Sequence, residues 1–222
     1  MARWVIRPGA IPRRTFFPEM QRVWRRHAHQ VGEIATAWND LHVGCYTLFE
    51  TLSEAKDPTQ STNIAHAIWH SLNSDSAQRT MLLNVGRAVL PLKSPKRERF
   101  EWLIQAIGDL AASRNDPVHT PMSILQDATG RIYVDPDIHR AREIAIKRLQ
   151  MNPLEKTWRR IRGDLHVLAI FALYLNTHLR NPSVAVLPRK PRLLSVPKSP
   201  NRRSRRRRAR ATPPLPPLSY PG

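Results

Sequence analysis

Apolar residues return at helical spacing through most of the first 180 positions. After Pro18, the residues Trp24, Val31, Ile34, Trp38, Leu41, Leu48, Phe49 and Leu52 form one stripe. Such a stripe predicts a long amphipathic helix running to about Lys56. Asp57-Pro58 stops it, because the residue before proline is driven out of the α region. Ser61 or Thr62 caps a second helix, with Ile64, Ala67, Ile68 and Leu72 on its apolar face. Ser74 and Asp75 offer the next cap, ahead of Ala77, Met81, Leu82, Val85, Val89 and Leu90, and Pro91 ends that helix. A fourth helix starts near Pro95, where proline suits a first turn. Its buried face is expected at Phe100, Leu103, Ile104, Ile107, Leu110 and Ala111.

The period then changes. Ser123–Gln126 and Arg131–Val134 flank Asp127-Ala128-Thr129-Gly130, which reads as a β-hairpin over about residues 122–135. Asp135-Pro136 closes it. A helix is expected over about Asp137–Met151, anchored by Ile138, Ile144 and Leu149. After Asn152-Pro153 a last helix runs to about Leu179. Its Leu165–Leu175 segment is apolar nearly all round, which suits a central buried helix and is too short to span a bilayer. The fold class expected is all-α: a helical bundle with a small β-hairpin insertion.

Charge divides the chain. Of 222 residues, 36 are Lys or Arg and 17 are Asp or Glu, a formal net charge of +19. After Asn181 there are 11 basic residues, no acidic residue and 10 of the 20 prolines. The 25 basic and 17 acidic residues before it leave +8. Residues 181–222 therefore read as a disordered Pro/Arg-rich basic tail, too poor in apolar surface to offset the entropy of ordering. Residues 1–17 read as a flexible N-terminal arm and 18–180 as the helical domain. The densest charge lies at Arg202, Arg203, Arg205, Arg206, Arg207, Arg208 and Arg210, an electrostatic footprint for nucleic acid. A solubilising tail that holds polyanions unselectively explains the same run equally well.

Composition excludes several classes. One cysteine, Cys45, builds neither a disulfide framework nor a thiolate zinc cluster, and a reducing cytoplasm fits. Neither G-x-G-x-x-G nor G-x-x-x-x-G-K occurs. No secretory leader or membrane span is expected. His27 and His29 point about 200° apart on a helix and make a poor metal pair. His66 and His70 share a face but need a further ligand. No metal site and no cofactor are expected. Cys45 reads as an inert buried thiol. The tryptophans read as core or interface.

One segment departs from a plain bundle. Ser113-Arg114-Asn115-Asp116-Pro117-Val118-His119-Thr120-Pro121 crowds polar groups at a helix end. On a continuous helix Arg114 and His119 stand about 140° apart. Pro117 is expected to break the helix and let the guanidinium and imidazole converge. A simple helix-end cap is the competing reading.

Arg114-Asn115-Asp116-Pro117-Val118-His119 resembles the HEPN superfamily, whose nuclease members carry Arg, four to six residues, then His, with a polar residue after the Arg. The resemblance covers roughly Pro18 to Leu125 and implies a HEPN-like helical bundle. It further implies a metal-independent endoribonuclease of toxin or defence type, acting as a homodimer whose two motifs face one cleft. RNA supplies its own nucleophile, the 2′-hydroxyl. His119 would be the general acid or base, Arg114 the phosphate clamp, and Asn115 an orienting group. The products would be 2′,3′-cyclic phosphate and 5′-hydroxyl ends. RNA, a second copy and, for a toxin, a cognate inhibitor protein are the partners implied. The other reading is a non-catalytic module that binds RNA or a protein.

Overall fold

A computed structural model describes residues 13–54, 58–137, 141, 143, 146 and 154–195, with side chains from Pro18 in the first helix and from Asn63 in the second. The order is α1 (Arg13–Ser53), α2 (Pro58–Ser71), α3 (Asp75–Val89), α4 (Pro95–His119), β1 (Met122–Gln126), β2 (Ile132–Pro136) and α5 (Leu154–Arg180). The architecture is mostly helical with one antiparallel two-stranded hairpin. Helix α1 begins five residues before Pro18, inside the stretch assigned to the arm. The helix expected over Asp137–Met151 lies mostly outside the described residues, as do residues 1–12 and all seven tail arginines from 202 to 210.

Local signals act as their chemistry requires. Ser74 Oγ accepts from the Ala77 amide, and Ser94 Oγ from the Arg97 amide, so both helices start on side-chain caps. In the hairpin, Ser123 pairs with Asp135 and Gln126 with Ile132. Asp127 Oδ1 accepts from the Thr129 amide and hydroxyl and from the Arg131 amide. Gly130 takes φ +84°, the left-handed conformation that glycine permits.

α1 and α5 form the spine, and they run parallel. Arg26 meets Glu155, Glu33 meets Arg162, and Arg180 Nε donates to Thr51 Oγ1, each at the same offset of 129 residues. That register holds over 25 residues of α1, about 37 Å of helix. Gly44 lets them approach closely: a Cβ there would lie 3.1 Å from the Ala172 Cβ. α4 closes the core from the other side, with Trp102 edge-on to Phe171 at 5.0 Å. Phe100 is fully buried against Gly86 of α3, where any Cβ would strike its ring at 2.1 Å.

Three expectations are corrected. α2 buries Ala65 and Trp69, while Ile64 is 58% and Ile68 43% exposed. Trp69 offers the largest apolar area and turns the helix onto His42, Tyr46 and Phe49 of α1. α5 is not buried all round: Ile170, Leu173 and Tyr174 are each more than half exposed. Pro117 does not break α4, which continues through it to His119. The proline deletes one hydrogen bond near the helix end, where the last turn bears the loss.

Residues 181–195, assigned from composition to the tail, lie on the bundle. The chain turns after α5 and runs back along it as a strap. His178 Nδ1 donates to the Ala185 carbonyl at 2.5 Å. Lys190 pairs with Glu98 of α4 at 2.5 Å. Asp164, 3% exposed, accepts from the Leu194 amide at 2.8 Å, the Ser195 amide at 2.6 Å and the Ser195 hydroxyl. A buried carboxylate answered by three donors holds the strap more firmly than proline content implies.

Candidate functional site

Arg114 and His119 stand on the last two turns of α4. Because the helix is unbroken, they project about 140° apart and α4 does not bring them together. Asn115 and His119, four residues apart, share an exposed face. Arg114 reaches toward that face: its Nη1 donates to Asn115 Oδ1 at 2.9 Å. The guanidinium carbon lies 5.0 Å from the Trp38 ring centroid. Of the three candidates, Arg114 is bonded to Asn115, and His119 stands one turn further along the same exposed face as Asn115. Asp116, set between them in sequence, is buried.

Arg114 belongs to a second group that sequence reading missed. Trp38, 2% exposed, carries Arg114 of α4 on its ring and also Arg79 of α3, at 5.9 Å. One turn along α1, His42 Nε2 lies 2.7 Å from Asp75 Oδ1. Arg79 Nη1 is 3.8 Å from Asp75 Oδ2, an ion pair too long for a hydrogen bond. The His42 hydrogen bond first, then the charges of His42, Arg79 and Arg114, hold the Asp75 carboxyl below its usual range against the opposing effect of burial. Arg79 Nη1 and Arg114 Nε are buried with no hydrogen-bond partner. Two half-buried cations thus face one carboxylate over one indole. Its one sequence signal was Trp38 and His42 a turn apart on α1. Asp75 and Arg79 show theirs only when α3 docks.

The remaining candidates fall into place as packing. His27 is buried beside Trp24 and Trp158, and burial lowers its pKa. His66 and His70 stack at 4.3 Å next to Tyr46. Among the described residues, no group of three or more His, Cys, Asp or Glu is placed to hold a metal ion. Burial pushes the Cys45 thiol up to about 12, so it stays protonated and inert. Glu33 pairs with Arg162, Glu50 accepts from the Tyr46 hydroxyl at 2.7 Å, and Asp109 accepts from Gln105 at 2.8 Å. No described helix is long and apolar enough to cross a membrane. Comparison with protein-family models, with curated proteins and with solved structures finds no match to this chain.

Proposed function

We propose that this protein is a HEPN-type ribonuclease that cleaves RNA without a metal, with Arg114 clamping the scissile phosphate and His119 moving the proton. The observation that carries the reading is the posture of Arg114: its guanidinium is held between Trp38 and Asn115 Oδ1, at the edge of the face that exposes Asn115 and His119. An oriented guanidinium loses little freedom when it binds a phosphate. The 2′-oxygen bonds to phosphorus, the bond to the 5′-oxygen breaks, and imidazole accepts or supplies the proton involved. An unbroken α4 separates Arg114 from His119 in one copy, so one phosphate meets both when two copies pair and each contributes to the cleft.

The unbroken helix also favours a second reading, a non-catalytic module that binds RNA. Incubation of RNA with purified protein in EDTA decides between them. Cleavage to cyclic-phosphate ends, reduced about 10²–10⁴-fold in His119→Ala and about 10²–10³-fold in Arg114→Lys, supports the nuclease. Equal background in wild type and both variants, with RNA still bound, establishes the binding module.

A further inference from the structure

The parallel spine and the strap build a charged surface outside the Arg114 site. Arg22 and Arg26 lie one turn apart on the edge of α1 that meets α5, since Arg26 binds Glu155. On α5, Lys156 and Arg159 are exposed and Arg160 is half-buried. Asp164, one turn after Arg160, anchors the end of the strap, so exposed Arg192 lies beside the same part of α5.

The carboxylates there are already engaged. Glu155 is shared by Arg26 and Arg159, the latter at 3.6 Å. Glu33 holds Arg162 and His29. Asp164 is occupied by the strap amides. Among the described residues of this face, Glu19, one turn before Arg22, is the exposed carboxylate with no ion pair. Arg22, Lys156, Arg160 and Arg192 have no carboxylate partner among the described residues.

We propose that this face, formed by the N-terminal halves of α1 and α5 and the end of the strap, is a folded docking surface for a nucleic-acid phosphate backbone. The inference rests on the RNA reading above and names where the strand lies. Unpaired cations in a row bind a phosphate polymer by releasing its counterions. A lipid surface fits less well, because membrane-surface helices set apolar anchors beside their cations. On α5 the exposed apolar side chains start at Ile170, ten residues beyond Arg160, about 15 Å along the helix, and among the described residues of the α1 half a single large one, Trp24 at 43% exposure, stands among the cations, where a membrane-surface helix would set a stripe.

The test measures binding of a short fluorescent oligodeoxynucleotide to the full-length chain across a salt series. The probe has no 2′-hydroxyl, so docking is read apart from cleavage, and failure of the nuclease chemistry leaves this result intact. The triple variant Lys156→Gln, Arg159→Gln, Arg160→Gln is compared with a chain whose seven tail arginines, 202 to 210, are glutamine. Both variants are expected to flatten the dependence of log K on log salt, the triple by about 2, or roughly 0.7 per lost single-strand contact. An unchanged slope and affinity in the triple variant, with all binding lost in the tail variant, would overturn the proposal. So would a triple variant that binds the oligonucleotide normally but loses capture by phosphatidylserine vesicles.

Discussion

Around Trp38 the cations are few and packed away; along the outer edge of α1 and α5 they are many and wet. Arg79 and Arg114 rest on one indole, share Asp75 and keep N–H groups with no acceptor. Arg22, Lys156 and Arg192 stand in water. The physics differs accordingly. A half-buried cation is poorly screened and oriented, so it acts on one phosphate at one place. An exposed cation is screened within about 10 Å and oriented by nothing, so many together hold a polymer without choosing a position on it. This chain keeps the two kinds of cation on separate parts of its surface.

The largest perturbation removes the support of the buried region. Phe100→Ala empties the contact that seats α4 on Gly86 of α3 and is expected to cost about 3–5 kcal/mol in denaturant unfolding. A cost below 1 kcal/mol would mean that α4 and the Arg114 corner are seated by something else.

Next comes the clip that joins the strap to the wet face. Asp164→Ala leaves the amides of Leu194 and Ser195 without their acceptor, worth about 2 kcal/mol of strap docking. Trypsin should then cut after Arg192 faster than in wild type while the melting temperature of the bundle changes little. Unchanged proteolysis would detach the strap from Asp164.

The Asp75 carboxyl offers a smaller, pH-dependent test. Its folded pKa is depressed, so its contribution is complete above the ordinary aspartate value of about 3.9 and is lost as pH falls through the lower folded value. Asp75→Asn should therefore melt earlier than wild type at neutral pH, and the gap should close in strong acid. A gap independent of pH would show that the His42 and arginine partners do not act through charge.

The smallest effect separates the two regions most cleanly. Arg22→Gln is expected to leave stability within about 0.5 kcal/mol and to lower the salt slope for a single-stranded probe by about 0.7. A clear loss of stability would move Arg22 into the packed class.

Much of the fold was legible from short stretches. Ser74 capped α3 as its position suggested, and α4 started at Pro95. Phe100, Leu103, Ile107 and Leu110 lay on the buried face that their spacing required. The hairpin followed from Asp127 and Gly130. α2 was misread because a count of apolar positions weighed Ile64 and Ile68 against Trp69 without knowing that α1 presents three rings to receive one. Pro117 was read as a break because the residue before a proline is driven from the α region, yet α4 keeps Asp116 helical and forgoes only one hydrogen bond near its end. Of the candidate site, the sequence singled out Arg114, Asn115 and His119 but not the bond from Arg114 to Asn115, nor the grouping of Trp38, His42, Asp75 and Arg79.

By itself, the sequence determined where helices begin, which residues seek the core, and that the chain carries a large positive charge. Each follows from interactions within a few residues or from composition. The tertiary structure decided which cations are buried and which are wet, that α1 and α5 lie parallel with their basic ends together, and that residues 181–195 return to the bundle. Those outcomes depend on packing between helices far apart in the chain, where a single fit, such as Gly44 on Ala172 or Phe100 on Gly86, sets the position of every side chain around it.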